Sequence, residues 1–206
     1  ERLLAGDLKV GITGVVRRGH NQPSSDAVTV GPTEVLQVQR TRGRLTYNGL
    51  ELTLQKAFRH RWEGLVSYTG GKARDDASGI LSPLQRRFSY GPADYDQRHT
   101  FTGTGTVLFP GDVRFTSLVR AASGRPFSIL NNLPTIDAAY VTRAGVVTGR
   151  NQERQPTNWT LDMTVGREFG QAGRRVRVFG QIINATNRVN VIAVSTARAK
   201  IGRAHV

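Results

Sequence analysis

The chain has 206 residues, of which 38% are hydrophobic, with no cysteine and a net charge of +14. The lack of cysteine excludes a disulfide framework and a cysteine-ligated metal. No apolar run approaches the ~18–20 residues of a membrane helix, which leaves open a membrane protein that crosses with strands, because these carry an apolar residue only at every second position.

Strong basicity fits nucleic acid, anionic lipid or an acidic substrate. Here the basic residues are scattered, with neither a Lys/Arg run nor an interleaved aromatic platform, so no nucleic-acid partner is expected. The hydrophobic fraction is low for a packed soluble core and sufficient for a wall with one wet face. The sequence begins at Glu1, so the natural N-terminus is expected to lie upstream, and neither a signal nor a transit peptide is legible.

Alternation predicts eight strands, near 7–16, 33–58, 61–72, 97–109, 112–121, 157–169, 174–184 and 188–198. In the first, Leu8, Val10, Ile12 and Val16 alternate with Lys9, Gly11 and Thr13. In the second, Leu50, Leu52, Leu54 and Phe58 alternate with Glu51, Thr53 and Gln55, and Leu36 and Val38 share the apolar parity. A strand that long runs beyond a bilayer. In the fourth, Phe101, Val107 and Phe109 oppose Thr102, Thr104 and Thr106. In the fifth, Val113, Phe115 and Val119 oppose Arg114, Thr116 and Arg120. The sixth is the clearest: Trp159, Leu161, Met163, Val165 and Phe169 lie on one face, and Asn158, Thr160, Asp162, Thr164 and Glu168 on the other. In the seventh, Val176, Val178 and Ile182 oppose Arg175, Arg177 and Gln181.

The connections alternate in length. Arg59-His60, Pro110-Gly111 and 170–173 are short turns, whereas 17–32, 73–96 and 122–156 are long. Outer-membrane barrels place short turns at the periplasmic end and long loops outside; a soluble sandwich has no reason to gather its long loops at one end. Phe58, Trp62, Phe109 and Phe169 sit beside the short turns, where an interfacial aromatic girdle belongs.

Several segments resemble the C-terminal barrel region of TonB-dependent outer-membrane receptors, and most closely the Oar-like group, which carries a carboxypeptidase-regulatory-like domain. They are Tyr47-Asn-Gly-Leu-Glu-Leu-Thr-Leu-Gln-Lys-Ala-Phe58, Leu65-Val-Ser-Tyr-Thr69, Gly91-Pro-Ala-Asp-Tyr-Asp-Gln-Arg-His-Thr-Phe101, Ser123-Gly-Arg-Pro-Phe127, Gly149-Arg-Asn151 with Asn158-Trp-Thr-Leu-Asp162, and Phe179 with Asn184-Ala-Thr-Asn-Arg188. They span about residues 45–190 in the family's order. The resemblance implies an all-β fold: an antiparallel transmembrane β-barrel segment of about eight strands from a larger barrel of about 22. Residues 1–200 would be the partial barrel. The family's plug and terminal aromatic strand are not matched.

The last six residues, Ile201-Gly-Arg-Ala-His-Val206, break the pattern. They correspond to the translation of a common sequencing-library adapter, so 201–206 is expected to be an artefact without functional weight.

No catalytic, cofactor-binding or metal-ligating residue is assigned, and no enzyme is expected. The densest polar cluster is Asp94, Tyr95, Asp96, Arg98 and His99. It has no Ser or Cys nucleophile in a recognisable elbow and reads as structural, with Arg98 paired to an Asp. Asp75-Asp76 lacks the ligand spacing of a cation loop, Gly70-Gly-Lys72 lacks that of a phosphate loop, and His20, His60 and His99 lack metal-ligand spacing. Asn158-Trp-Thr and Asn184-Ala-Thr match the glycan acceptor pattern, but both are expected in strands.

The expected location is the bacterial outer membrane. Trp159, Leu161 and Val165 would face lipid, Thr102, Asp162 and Thr164 the lumen, and loops 73–96 and 122–156 would capture ligand. The expected function is part of a receptor for TonB-coupled uptake of a scarce solute. Its partners would be outer-membrane lipid and lipopolysaccharide, an extracellular solute, and the TonB system through a plug outside this sequence. A non-transporting structural or adhesive barrel and a soluble β-sandwich enzyme or lectin are the alternatives.

Overall fold

The computed structural model describes residues 2–4, 7–32, 34–76, 80–81, 89–130, 140–141, 148–171 and 174–194. In chain order the strands are β1 (Arg2–Leu4), β2 (Leu8–Thr29), β3 (Val35–Arg59), β4 (Trp62–Asp75), β5 (Ile80–Leu81), β6 (Gly91–Pro92), β7 (His99–Phe109), β8 (Val113–Ala122), β9 (Pro126–Phe127), β10 (Ile129–Leu130), β11 (Tyr140–Val141), β12 (Glu153–Arg154), β13 (Asn158–Gln171) and β14 (Arg174–Ile182). One sheet runs β1-β2-β3-β4-β7-β8-β13-β14. Its neighbours along that path are antiparallel. Among the described residues, β14 does not pair back to β1 or β2, so the sheet stays open.

The register joins the alternating patterns into two continuous faces. Val10, Leu54, Val66, Gly103, Val119 and Leu161 form one row across six strands. The row on the opposite face is Thr53, Ser67, Thr102, Arg120 and Thr160. Directly opposed residues in an antiparallel pair point to the same side, so one face is mainly apolar and the other mainly polar. The apolar face is bare: Ile12 is 66% exposed, Val16 72% and Val176 64%. A soluble fold would bury such a face at about 25 cal/mol per Å².

The short turns are tight. His60 and Arg61 both take positive φ, 53° and 68°, as a two-residue turn between antiparallel strands requires. Pro110 and Gly111 (φ 76°) begin the next turn. At this end Trp62, Phe109 and Phe169 stand on the apolar face and are about half exposed. The Lys56 ammonium lies 4.2 Å from the centre of the Trp62 ring and 3.0 Å from the Asp7 carboxylate.

Two expectations are corrected. Residues 17–32 are not a long connection: β2 continues to Thr29 and pairs with β3 along its whole length, leaving only the segment around 30–34 as the hairpin tip. The polar run from Arg17 to Asp26 hides the strand because neither of its faces is apolar. β3 is 25 residues long, roughly 80 Å at ~3.3 Å per residue, far more than a membrane crossing needs. The β2–β3 register shifts twice in close succession, between Gly19 and Gln22 and between Gln22 and Pro23.

The second correction concerns the strand expected over 188–198. Residues 188–194 form no strand, and 195–198 lie outside the described residues. Asn184 and Asn187 take left-handed φ, 51° and 50°, which Asn tolerates and which turns the chain after β14. The chain then runs beside β13 held by side chains. Asn190 accepts from the Trp159 N–H at 3.0 Å and donates to its carbonyl at 3.1 Å, so an amide replaces a ladder pair. Asn184 therefore sits in a turn and not in a strand, whereas Asn158 opens β13. The tail 201–206 lies outside the described residues.

Candidate functional site at the loop end of the wall

Burial in this molecule is concentrated where the longer connections gather. Ala73, Ala93, Ile129 and Tyr140 are its buried apolar residues among those described, and they lie beside buried Asp75, Asp96, Arg150 and Asn151. The polar cluster singled out in the sequence falls here, between the end of β4 and the segment leading to β13.

Asp96 is the central tie. Its Oδ1 accepts the Ala73 N–H at 2.7 Å, and its Oδ2 pairs with Arg154. Arg154 also donates to the carbonyls of Asp96 (2.7 Å) and Gly124 (3.1 Å). Arg98, the expected partner of an aspartate, approaches Asp96 at 3.8 Å with its own side chain half exposed. Arg154 is thus the close partner. Sequence distance hid it, because β9 and β12 pair only after a long excursion.

A second tie stands beside the first. Arg150 pairs with the Asp75 carboxylate and donates to the carbonyls of Asp75 (3.0 Å) and Pro92 (3.3 Å). Asn151 donates to the Pro92 carbonyl at 2.8 Å and to Asp94 Oδ1 at 2.6 Å, and its N–H bonds Ser128 Oγ at 2.9 Å. Breaking one partner of a buried ion pair typically costs 3–5 kcal/mol, because the other charge stays buried. Burial raises the Tyr140 phenol above its ordinary value of 10, with nearby Arg150 opposing and Asp94 adding to the shift. Tyr95 is raised too, by burial and then by the Asp75 carboxylate.

Backbone approach explains two of the quoted motifs. A Cβ on Gly124 would lie 1.7 Å from the Gln155 carbonyl oxygen, and one on Gly91 would lie 2.6 Å from that of Arg150. Only glycine lets these segments meet. Likewise, a Cβ on Gly49 would lie 2.4 Å from Tyr47 Oη, because the Tyr47 ring lies across Gly49 and Gly71.

Asp75 and Asp76, adjacent in sequence, point to opposite sides. Asp75 meets Arg150, while Asp76 meets Arg44 at 3.2 Å and caps its N–H. Both carboxylates serve ion pairs. His99 stacks on Tyr68, with ring centres 6.1 Å apart and Nδ1 2.7 Å from the phenol oxygen. Lower on the polar face, Arg120 pairs with Asp162 at 3.3 Å. Near the short turns a concavity of about 310 Å³ is lined by Leu108, Arg114, Gly166, Glu168, Arg175 and Arg177. Among the described residues no group of three His, Asp or Glu side chains gathers as metal ligands would.

An open antiparallel sheet, bare and apolar on one side, polar on the other, capped by tied loops at one end and tight turns at the other, defines the wall of a transmembrane β-barrel. A family model described as the outer membrane beta barrel domain matches residues 19–148, and the chain belongs to that family. It is therefore a protein of the bacterial outer membrane. The apolar face meets lipid, and the polar face meets the lumen. Comparisons with curated proteins and with solved structures returned no match.

Proposed function

We propose that the chain is part of a receptor for energised, TonB-coupled uptake of a scarce solute, of the Oar-like kind its motifs resemble. The observation that carries this reading is the open sheet: seven long strands whose outer members remain unjoined among the described residues. A wall this wide that still does not close suits a large barrel, and the large plugged barrels are transporters. The tied loops at one end supply a preorganised rim for ligand capture, and Thr102, Asp162 and Thr164 lie on the face that a solute would pass. TonB contact runs through a plug outside this sequence.

The test is cross-linking of the full-length protein to the TonB C-terminal domain in intact cells. A specific cross-link that needs the plug supports the receptor. Its absence, with the protein present in the outer membrane, would favour a structural or adhesive barrel. The β2–β3 hairpin, projecting well past the wall, is the feature that favours that second reading.

A further inference from the structure

On the outer wall, the apolar face of β2–β4 gives way at the loop end to a compact cationic patch. The face carries Leu8, Val10, Ile12 and Val16 on β2, and the next outward position is Arg18. Arg18 opposes Thr46, which opposes Arg74, and one row lower Val16 opposes Asn48, which opposes Lys72. Neighbouring strands stand ~4.8 Å apart, so Arg18 and Arg74 flank Thr46 at roughly 10 Å, with Lys72 one step toward the membrane.

Three observations give this patch a direction. Arg and Lys on a lipid-facing wall cost ~2–4 kcal/mol at the midplane and ~0–1 at the interface, so these side chains mark headgroup level. Among the described residues, no carboxylate pairs with Arg18, Lys72 or Arg74, whereas neighbouring Arg44 is engaged by Asp76. Arg74 is also held in place: it and Arg44 grip the Tyr90 ring at 4.9 and 5.0 Å, and its Nε, shielded from solvent, has no hydrogen-bond partner. The patch is local. At the same level β7 ends its lipid face in His99 and β8 in Ala121, neither of which is a Lys or Arg.

We infer that Arg18, Lys72 and Arg74 form a docking surface for the phosphate of a phosphorylated glycolipid of the outer leaflet. Its acyl chains lie along Ile12, Val16, Leu50 and Tyr68. Phosphate matches the unpaired guanidinium and ammonium groups, and acyl chains match the bare face directly beneath, so one amphiphile satisfies both. A free anion would leave the apolar half unmatched. The inference rests on the barrel reading and on the long loops facing outward, and it does not need transport.

The test measures retention of bisphosphorylated lipid A by the full-length protein in detergent micelles, using native mass spectrometry. Arg18→Gln with Lys72→Gln leaves the Arg74–Tyr90 stack intact and is expected to weaken retention by about tenfold or more. Arg114→Gln with Arg177→Gln removes the same charge from the lumen face and should retain lipid normally. Equal retention of dephosphorylated lipid A, an unchanged outer double variant, or full displacement by millimolar inorganic phosphate would each overturn the assignment. Heat-modifiable gel migration confirms that each variant is folded. Glu34→Cys, at the hairpin tip of a chain without native cysteine, should label with an impermeant maleimide on intact cells. A tip that stays unlabelled would place the patch in the wrong leaflet and sink the proposal whatever the TonB cross-link shows.

Discussion

Asp96 and Arg154, separated by 58 positions in the chain, form a buried ion pair that fastens the segment before β7 to the one before β13. The same carboxylate holds the backbone N–H of Ala73 on β4. One side chain thus connects three parts of the loop end.

Asp96→Asn is expected to loosen these loops by about 3–5 kcal/mol of local stability while sparing the wall. Hydrogen exchange reads this directly. Amides around 93–98 and 150–155 should lose protection, and those of β7 and β8 should not. Uniform loss across the strands would contradict a local role.

Arg98→Ala and Arg154→Ala should separate. Arg98 is half exposed at 3.8 Å from Asp96, so its loss should cost no more than about 1 kcal/mol. Arg154→Ala strands the buried Asp96 and should resemble Asp96→Asn. Limited proteolysis of the two variants, compared at equal time, orders them.

Gly124→Ala places a methyl where the Gln155 carbonyl already sits, 1.7 Å away. Backbone must move, so the β9–β12 pairing should be lost and the variant should be cleaved near residue 125. A variant as protease-resistant as the parent would mean that the approach is not required.

Val165→Arg is expected to cost about 2–4 kcal/mol in urea unfolding from bilayers, and Thr164→Arg less than about 1, since adjacent residues face lipid and lumen. Equal costs would undo the assignment of the two faces.

The raised Tyr140 phenol sets a pH dependence. A folded-state value above the unfolded one means that the neutral ring's contribution is complete below the ordinary tyrosine range and is lost as pH rises through it. Tyrosinate absorbance should show a late-titrating component from Tyr140 and Tyr95, and Tyr140→Phe should remove its own share of it. If no late component disappears, the ring is not held in its buried place.

Seven of the strands were legible because each has one face that must be apolar and one that must not. β2 and β3 above Arg17 were only half legible, since a hairpin that buries polar Ser24 and Asp26 carries no such contrast. The strand expected over 188–198 does not form among its described residues, because Asn184 and Asn187 accept left-handed φ and the Asn190 amide stands in for a ladder bond, neither of which alternation reveals. The loop-end ties were the least legible. The cluster at 94–99 was visible as a concentration of charge, but its partners Arg150 and Arg154 reach it only through the fold.

The parity of the wall restricts how this sequence can change. Below Gly19, inserting one residue in β2 would swap lipid-facing and lumen-facing side chains along the rest of the strand, whereas inserting two would preserve them. The hairpin above the register shifts carries no apolar face for lipid and has no such parity to keep. Length variation among descendants should therefore come in even steps within the wall and in any step beyond it, a rule of inheritance written by the thickness of a membrane.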